Sequence, residues 1–230
     1  MKRYAITIFA SLLIASAADA QRSYVTTDGE MIFSFADVTR GGVPLDSDLR
    51  WTVWYHSGTY HNHDITRGLG IFYGMAIRNV GFITHDEVLG GTNYSTIKRR
   101  SYSLGLPVGI KLGDLKRNMF LFGGAEYEWL FHYKEKRFLD GERVYRGRDW
   151  FSHQTNRFIP SLYAGINFPS QTAITFKFYL EDFMNSSYRE PVSGIMPYTG
   201  MKTQVFYISL SKRFKYKRVR DIFTPTTLTV

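Results

Sequence analysis

The chain has 230 residues, a formal net charge of +9, no cysteine and an aromatic content of 17%. The missing cysteine excludes a disulfide scaffold, a thiolate metal site and a lipid-modified N-terminal Cys. After the first twenty residues no apolar run approaches the ~18 residues of a membrane helix, which excludes a helical membrane protein and leaves a soluble exported protein or a membrane β-barrel.

The N-terminus reads as an export signal. Lys2 and Arg3 supply the positive start, Ile6 to Ile14 the apolar stretch, and Ala18-Asp19-Ala20 a small-x-small cleavage site, which predicts residues 1–20 as signal peptide and Gln21 as the mature start. Eight candidate strands follow. The first covers Glu30 to Val38, with Met31, Phe33 and Phe35 on one parity, and the second Leu49 to His56, with Leu49, Trp51, Val53 and Tyr55. The third runs from Leu69 to Phe82 and groups Leu69, Ile71, Tyr73, Met75 and Ile77. The fourth has the clearest alternation: Tyr102, Leu104, Leu106, Val108, Ile110 and Leu112 share one parity, and Ser103, Gly105, Pro107, Gly109 and Lys111 the other. A period of two means an extended strand with two unlike faces. The fifth, Met119 to Lys134, places Met119, Leu121, Ala125, Tyr127, Trp129, Phe131 and Tyr133 together. The sixth holds Phe158 to Phe168, the seventh Ile174 to Leu180, and the eighth Phe206 to Phe214.

The connections alternate in length. Gly113–Lys116 and Pro169–Gln171 are short, whereas Ile83–Lys98, Glu135–Arg157 and Asp182–Lys202 are long and polar. Short periplasmic turns, long external loops and an even strand count characterise outer-membrane barrels. Under that scheme Ser57 to Gly68 is a long periplasmic turn.

The apolar parity is assigned to the outside for two reasons. An eight-stranded barrel has room inside only for side chains, and the non-apolar parity is small: Gly70, Gly74, Gly105, Gly109, Gly124, Ser161 and Gly165. The strand charges Arg78, Lys111, Glu126, Glu128, Lys177 and Glu181 also fall on that parity. They can neutralise one another in a closed lumen, while Arg or Lys facing lipid costs about 2–4 kcal/mol near the midplane. The reading is therefore all-β: an eight-stranded antiparallel transmembrane β-barrel with a side-chain-filled lumen over residues 21–214. It sits in the bacterial outer membrane and carries a basic periplasmic tail over 215–230. A soluble lipocalin-like barrel would reverse the two faces.

Several constellations could carry chemistry. Glu126 and Glu128 lie two apart on the inner face, about 6–7 Å between side chains; acid–base work is conceivable for such a pair, but neutralisation by Lys111, Lys177 and Arg78 is the expectation. His56, His61, His63 and Asp64 offer a His-x-His pattern near a carboxylate; with no Cys and in a turn-like segment, no metal is expected. His132, Ser152 and His153 lie near the outer rim, where a lipid A-modifying enzyme would place its groups, yet they match no catalytic motif. No catalytic residue and no cofactor is assigned. Lys98, Arg99 and Arg100, then Lys134, Lys136, Arg137, Arg143, Arg146 and Arg148, crowd the external strand ends. That fringe suits the phosphates of outer-membrane lipid and lipopolysaccharide through charge-assisted hydrogen bonds. Location argues against nucleic acid.

Three segments carry a family resemblance: Ser103-Leu104-Gly105-Leu106-Pro107-Val108-Gly109-Ile110-Lys111-Leu112, Leu121-Phe122-Gly123-Gly124-Ala125-Glu126-Tyr127, and Lys177-Phe178-Tyr179-Leu180-Glu181-Asp182-Phe183. With them the chain resembles the small outer-membrane β-barrel proteins of Bacteroidota, the group that includes PorT-like barrels. The resemblance implies a structural or assembly component of a protein secretion (type IX) apparatus, with periplasmic or outer-membrane secretion components as partners. One departure stands out: barrels of this kind end on an aromatic residue such as Phe214, and this chain continues through Lys215-Tyr216-Lys217-Arg218-Val219-Arg220 to Val230.

Overall fold

Residues with period-two patterning form strands throughout the computed structural model, which describes residues 22–53 and 55–218, the side chains of 216–218 excepted. The expected signal peptide and the tail from residue 219 lie outside the described residues. The strands are β1 (Arg22–Arg40), β2 (Val43–Leu45), β3 (Ser47–Asp48), β4 (Arg50–Thr52), β5 (Ser57–Asp64), β6 (Leu69–Leu89), β7 (Thr92–Asp114), β8 (Met119–Leu139), β9 (Glu142–Trp150), β10 (Phe158–Asn167), β11 (Thr172–Tyr179) and β12 (Met201–Arg218).

Antiparallel pairing runs β1–β5–β6–β7–β8–β10–β11–β12 and back to β1, a closed ring of eight staves. Closure satisfies the edge N–H and C=O groups, a requirement for any sheet that crosses hydrocarbon. The outward parity is apolar as expected. Leu106 and Ile110 are 54% and 49% exposed, whereas Lys111 and Glu126 are 0% and 3% exposed. The chain is thus an integral outer-membrane β-barrel: an outward apolar band on a closed sheet has hydrocarbon as its matching solvent.

Three sequence expectations are corrected. The segment Ser57 to Gly68 is mostly strand, since β5 pairs Ser57–Asp64 with both β1 and β6; polar residues conceal it because its inward side chains Asn62 and Asp64 serve buried charge. Tyr133 lies inside, 2% exposed, because the ladder shifts register at Tyr102/Ser103 and the parity of β8 changes there. The strand also runs past Phe214: β12 extends through Lys215 to Arg218, which pair with Thr26 and Tyr24.

A membrane-crossing strand needs only about 9–11 residues. β6, β7 and β8 have 21, 23 and 21, so their upper halves project beyond the bilayer. The β8–β9 hairpin turns at Asp140 and Gly141, both with positive φ (47° and 85°), the Asp-Gly chemistry that suits a tight hairpin. The last long connection folds inward instead. Its Phe183, Met184 and Tyr198 are buried with Val80, Phe82, Ile97 and Leu130 in the upper lumen, and Phe183 meets Phe82 edge-on at 5.7 Å.

Candidate functional site

The lumen is filled by charge set between apolar clusters. On β6, Arg78 donates to both oxygens of Glu30 at 3.2 Å and also reaches Glu126. On β11, Lys177 donates to Glu126 at 2.7 Å and to Glu128, while Ser103 donates to Glu128. All five charged side chains are buried. Buried ions survive only when partnered like this. Glu126 and Glu128 are therefore both ion-paired to Lys177.

Lys111 forms a separate cluster toward the periplasmic end, donating to Asp64 at 2.6 Å and to Asn62 and Tyr24 at 3.1 Å each. Glu181 joins neither cluster and is exposed. β11 stops at Tyr179, so the alternation that placed Glu181 inside ends before reaching it. The sequence patterning does not single out Glu30, Glu87 and Glu135, and it groups Asp64 with the histidines rather than with Lys111. Glu30 was legible as the neighbour of Met31 on the opposite parity. The others lay in segments read as loop.

A third cluster fills the external end. Arg99 donates to Glu87 and, at 3.3 Å, to Glu135; Arg40 also pairs with Glu87 at 2.8 Å, and Arg137 with Glu135. Arg99 and Arg137, expected among lipopolysaccharide contacts, are thus committed to carboxylates. For Arg99 the cause is parity, since it sits between outward Lys98 and Arg100.

The cations that do face outward form a grid. Lys98 stands opposite Lys136, which stands opposite Arg146; one step lower, Arg100 stands opposite Lys134, which stands opposite Arg148. Among the described residues none of these six makes an ion pair. Burial, then Arg100 and Arg148, hold the Lys134 ammonium below its ordinary pKa, and Lys136 is lowered likewise. Arg143 is exposed nearer the hairpin tip, opposite Phe138.

Directly below runs an aromatic row. Tyr102 stacks on His132 at 5.6 Å and His132 on Trp150 at 4.0 Å; Phe131, Trp129 and Phe151 continue the cluster. Such girdles mark the membrane–water interface, and the cation rows stand just above it. Beside them lies a cleft of about 360 Å³ bordered by Leu49, Trp51, Ile83, Lys98, Arg100 and Lys134 among others. It opens where the second stave is interrupted. β4 pairs with β1 but not β6, and side chains replace the missing ladder: Arg50 donates to the Asn79 carbonyl at 3.1 Å, Ser34 to the Gly81 carbonyl at 2.8 Å, and the Asn79 N–H donates to His56 at 3.2 Å.

The remaining candidates are dispersed. His61 and His63 face outward and stack on Tyr73, whereas Asp64 points inward to Lys111; a period of two separates them. No group of three potential metal ligands occurs among the described residues. His132 lies in the aromatic row, Ser152 accepts from the Gln154 N–H at 3.2 Å, and His153 engages Arg157 at 2.7 Å.

No family model matches the chain and no curated protein matches it. Solved structures similar to it include Ail, the attachment invasion locus protein of Yersinia pestis, in complex with the heparin analogue sucrose octasulfate, at 13% identity over 83% of this chain and 99% of that one, TM-score 0.37. Neisserial surface protein A is similar at 10% identity over 86% and 99%, TM-score 0.40. The outer membrane protein OprG from Pseudomonas aeruginosa is similar at 10% identity over 85% and 97%, TM-score 0.39. At these values the likeness is loose, and the identification of the chain as an outer-membrane β-barrel stands on its own closed ring and lipid-facing band.

Proposed function

We propose that this protein is a non-enzymatic structural or assembly component of a secretion apparatus, of the type IX kind, held in the outer membrane. The observation that carries the reading is the stopped lumen: Arg78, Glu30, Glu126, Lys177 and Glu128 neutralise one another across its width, and Phe183, Met184 and Tyr198 close it above. An eight-stranded barrel has no space beyond its side chains, so its work falls to the surfaces it presents on either side. Those are the projecting β6–β9 sheet outside and the basic end of β12 inside. The secretion assignment itself rests on the resemblance of Ser103–Leu112, Leu121–Tyr127 and Lys177–Phe183 to PorT-like barrels.

The test combines deletion with cross-linking mass spectrometry on intact cells. Loss of secreted proteins from the medium, with cross-links from this chain to periplasmic or outer-membrane secretion components, is the expected result. An unchanged set of secreted proteins in the deletion strain overturns the reading. So does an altered lipid A mass spectrum with secretion intact, which would point to an enzyme.

A further inference from the structure

From the cation grid we infer a binding site for the phosphate groups of an outer-leaflet glycolipid of the lipid A class, on the membrane-facing side of β7, β8 and β9. The inference is independent of the secretion reading. Lys98, Lys136 and Arg146 form one row and Arg100, Lys134 and Arg148 the next. Strand spacing and rise make this a patch about 10 Å by 7 Å, large enough for phosphate groups to bridge cations on adjacent strands. Like charges directly opposite on a sheet are destabilising, and here no carboxylate intervenes among the described residues. The surface is therefore built for an anion it does not itself supply.

Position selects the source of that anion. The grid rests immediately on the Tyr102–His132–Trp150 stack, at the level where the headgroups of the outer leaflet lie. Below it, Leu106, Val108 and Tyr127 are exposed to hydrocarbon. The adjoining cleft adds Leu49, Trp51 and Ile83 next to Lys98 and Arg100, so one amphiphile can set phosphate on the cations and its less polar part in the break between β4 and β6. A free inorganic anion would use only the first of these features.

The experiment uses the full mature chain in detergent micelles and measures binding of lipid A bearing both phosphates, the same lipid after dephosphorylation, and inorganic phosphate. The phosphorylated lipid should bind at least about tenfold more tightly than the dephosphorylated one, and weaken as salt rises. Replacing Lys134→Gln and Lys136→Gln together should cost about tenfold or more, as should Arg146→Gln with Arg148→Gln on β9. Lys116→Gln, exposed in the β7–β8 turn at the opposite end of the barrel, should leave affinity unchanged. Each variant is first checked for the heat-modifiable gel mobility of a folded barrel. Wild-type affinity in both double variants overturns the site. Equal binding of dephosphorylated lipid overturns the role of phosphate. Competition by inorganic phosphate at concentrations comparable to the lipid assigns a free-anion site and overturns the glycolipid.

Discussion

Arg99 meets Glu87 with both terminal nitrogens, at 2.6 and 2.8 Å, and neither side chain has solvent exposure. Paired forks of this kind fix geometry as well as charge. Glu87→Ala leaves a buried guanidinium with Glu135 as its remaining carboxylate and the Thr84 hydroxyl as a neutral acceptor, and removing one partner of a buried pair costs about 3–5 kcal/mol. Replacing Arg99→Met and Glu87→Leu together should cost much less. Urea unfolding from detergent micelles, followed by tryptophan fluorescence, measures both. A double variant as unstable as Glu87→Ala alone would refute the argument.

Gly124 is a close-approach position. A Cβ there would lie 2.0 Å from the Val108 carbonyl oxygen and 2.7 Å from the Gly109 Cα, and backbone atoms cannot swing aside. Gly124→Ala should destabilise by about 1–3 kcal/mol through overpacking. At the adjacent, lipid-facing Ala125, Ala125→Leu should be close to neutral. Folding yield into lipid vesicles, read on unboiled gels, distinguishes the two.

The lipid-facing assignment is tested at Leu106, 54% exposed in the apolar band between the Tyr102 row and the turn after Asp114. Leu106→Lys should cost about 2–4 kcal/mol near the midplane. Phe214→Lys, near the periplasmic end of β12, should cost less because depth sets the penalty. Equal losses at both sites, in refolding titrations into vesicles, would argue against a membrane band at this height.

On the external surface, His85 Nε2 and an Asp48 carboxylate oxygen lie 2.8 Å apart. Burial lowers the His85 pKa, but the hydrogen bonds to Asp48 and to the Ser95 carbonyl outweigh it, and the net direction is upward from 6.5. A raised folded-state pKa means that the contribution is complete below the unfolded value and lost as pH rises through the folded one. The β3–β6 contact should therefore weaken from about pH 6.5 upward. Titrating His85 by NMR should give a midpoint above that of Asp48→Asn; coincident midpoints would remove Asp48 as the cause.

Much of the barrel was legible because alternation is a local property. Leu106 and Ile110 against Lys111 settled the faces of β7, and Arg78, Glu126, Glu128 and Lys177 could be placed inside by counting alone. Counting failed where the backbone departs from a strict period of two or stops. Tyr133 follows a register shift, Glu181 follows the end of β11, and β5 is masked by polar residues whose inward members bind Lys111.

Residue order by itself therefore determined the class of fold, the direction of its apolar face and the charges able to balance within it. Tertiary structure alone decided which partner each cation meets. Lys98, Arg99 and Arg100 are equally basic in the chain, yet strand pairing turns Arg99 onto Glu87 and aligns Lys98 and Arg100 with Lys136 and Lys134 across β8. That alignment depends on hydrogen-bond register between distant segments, which sets what stands opposite each side chain.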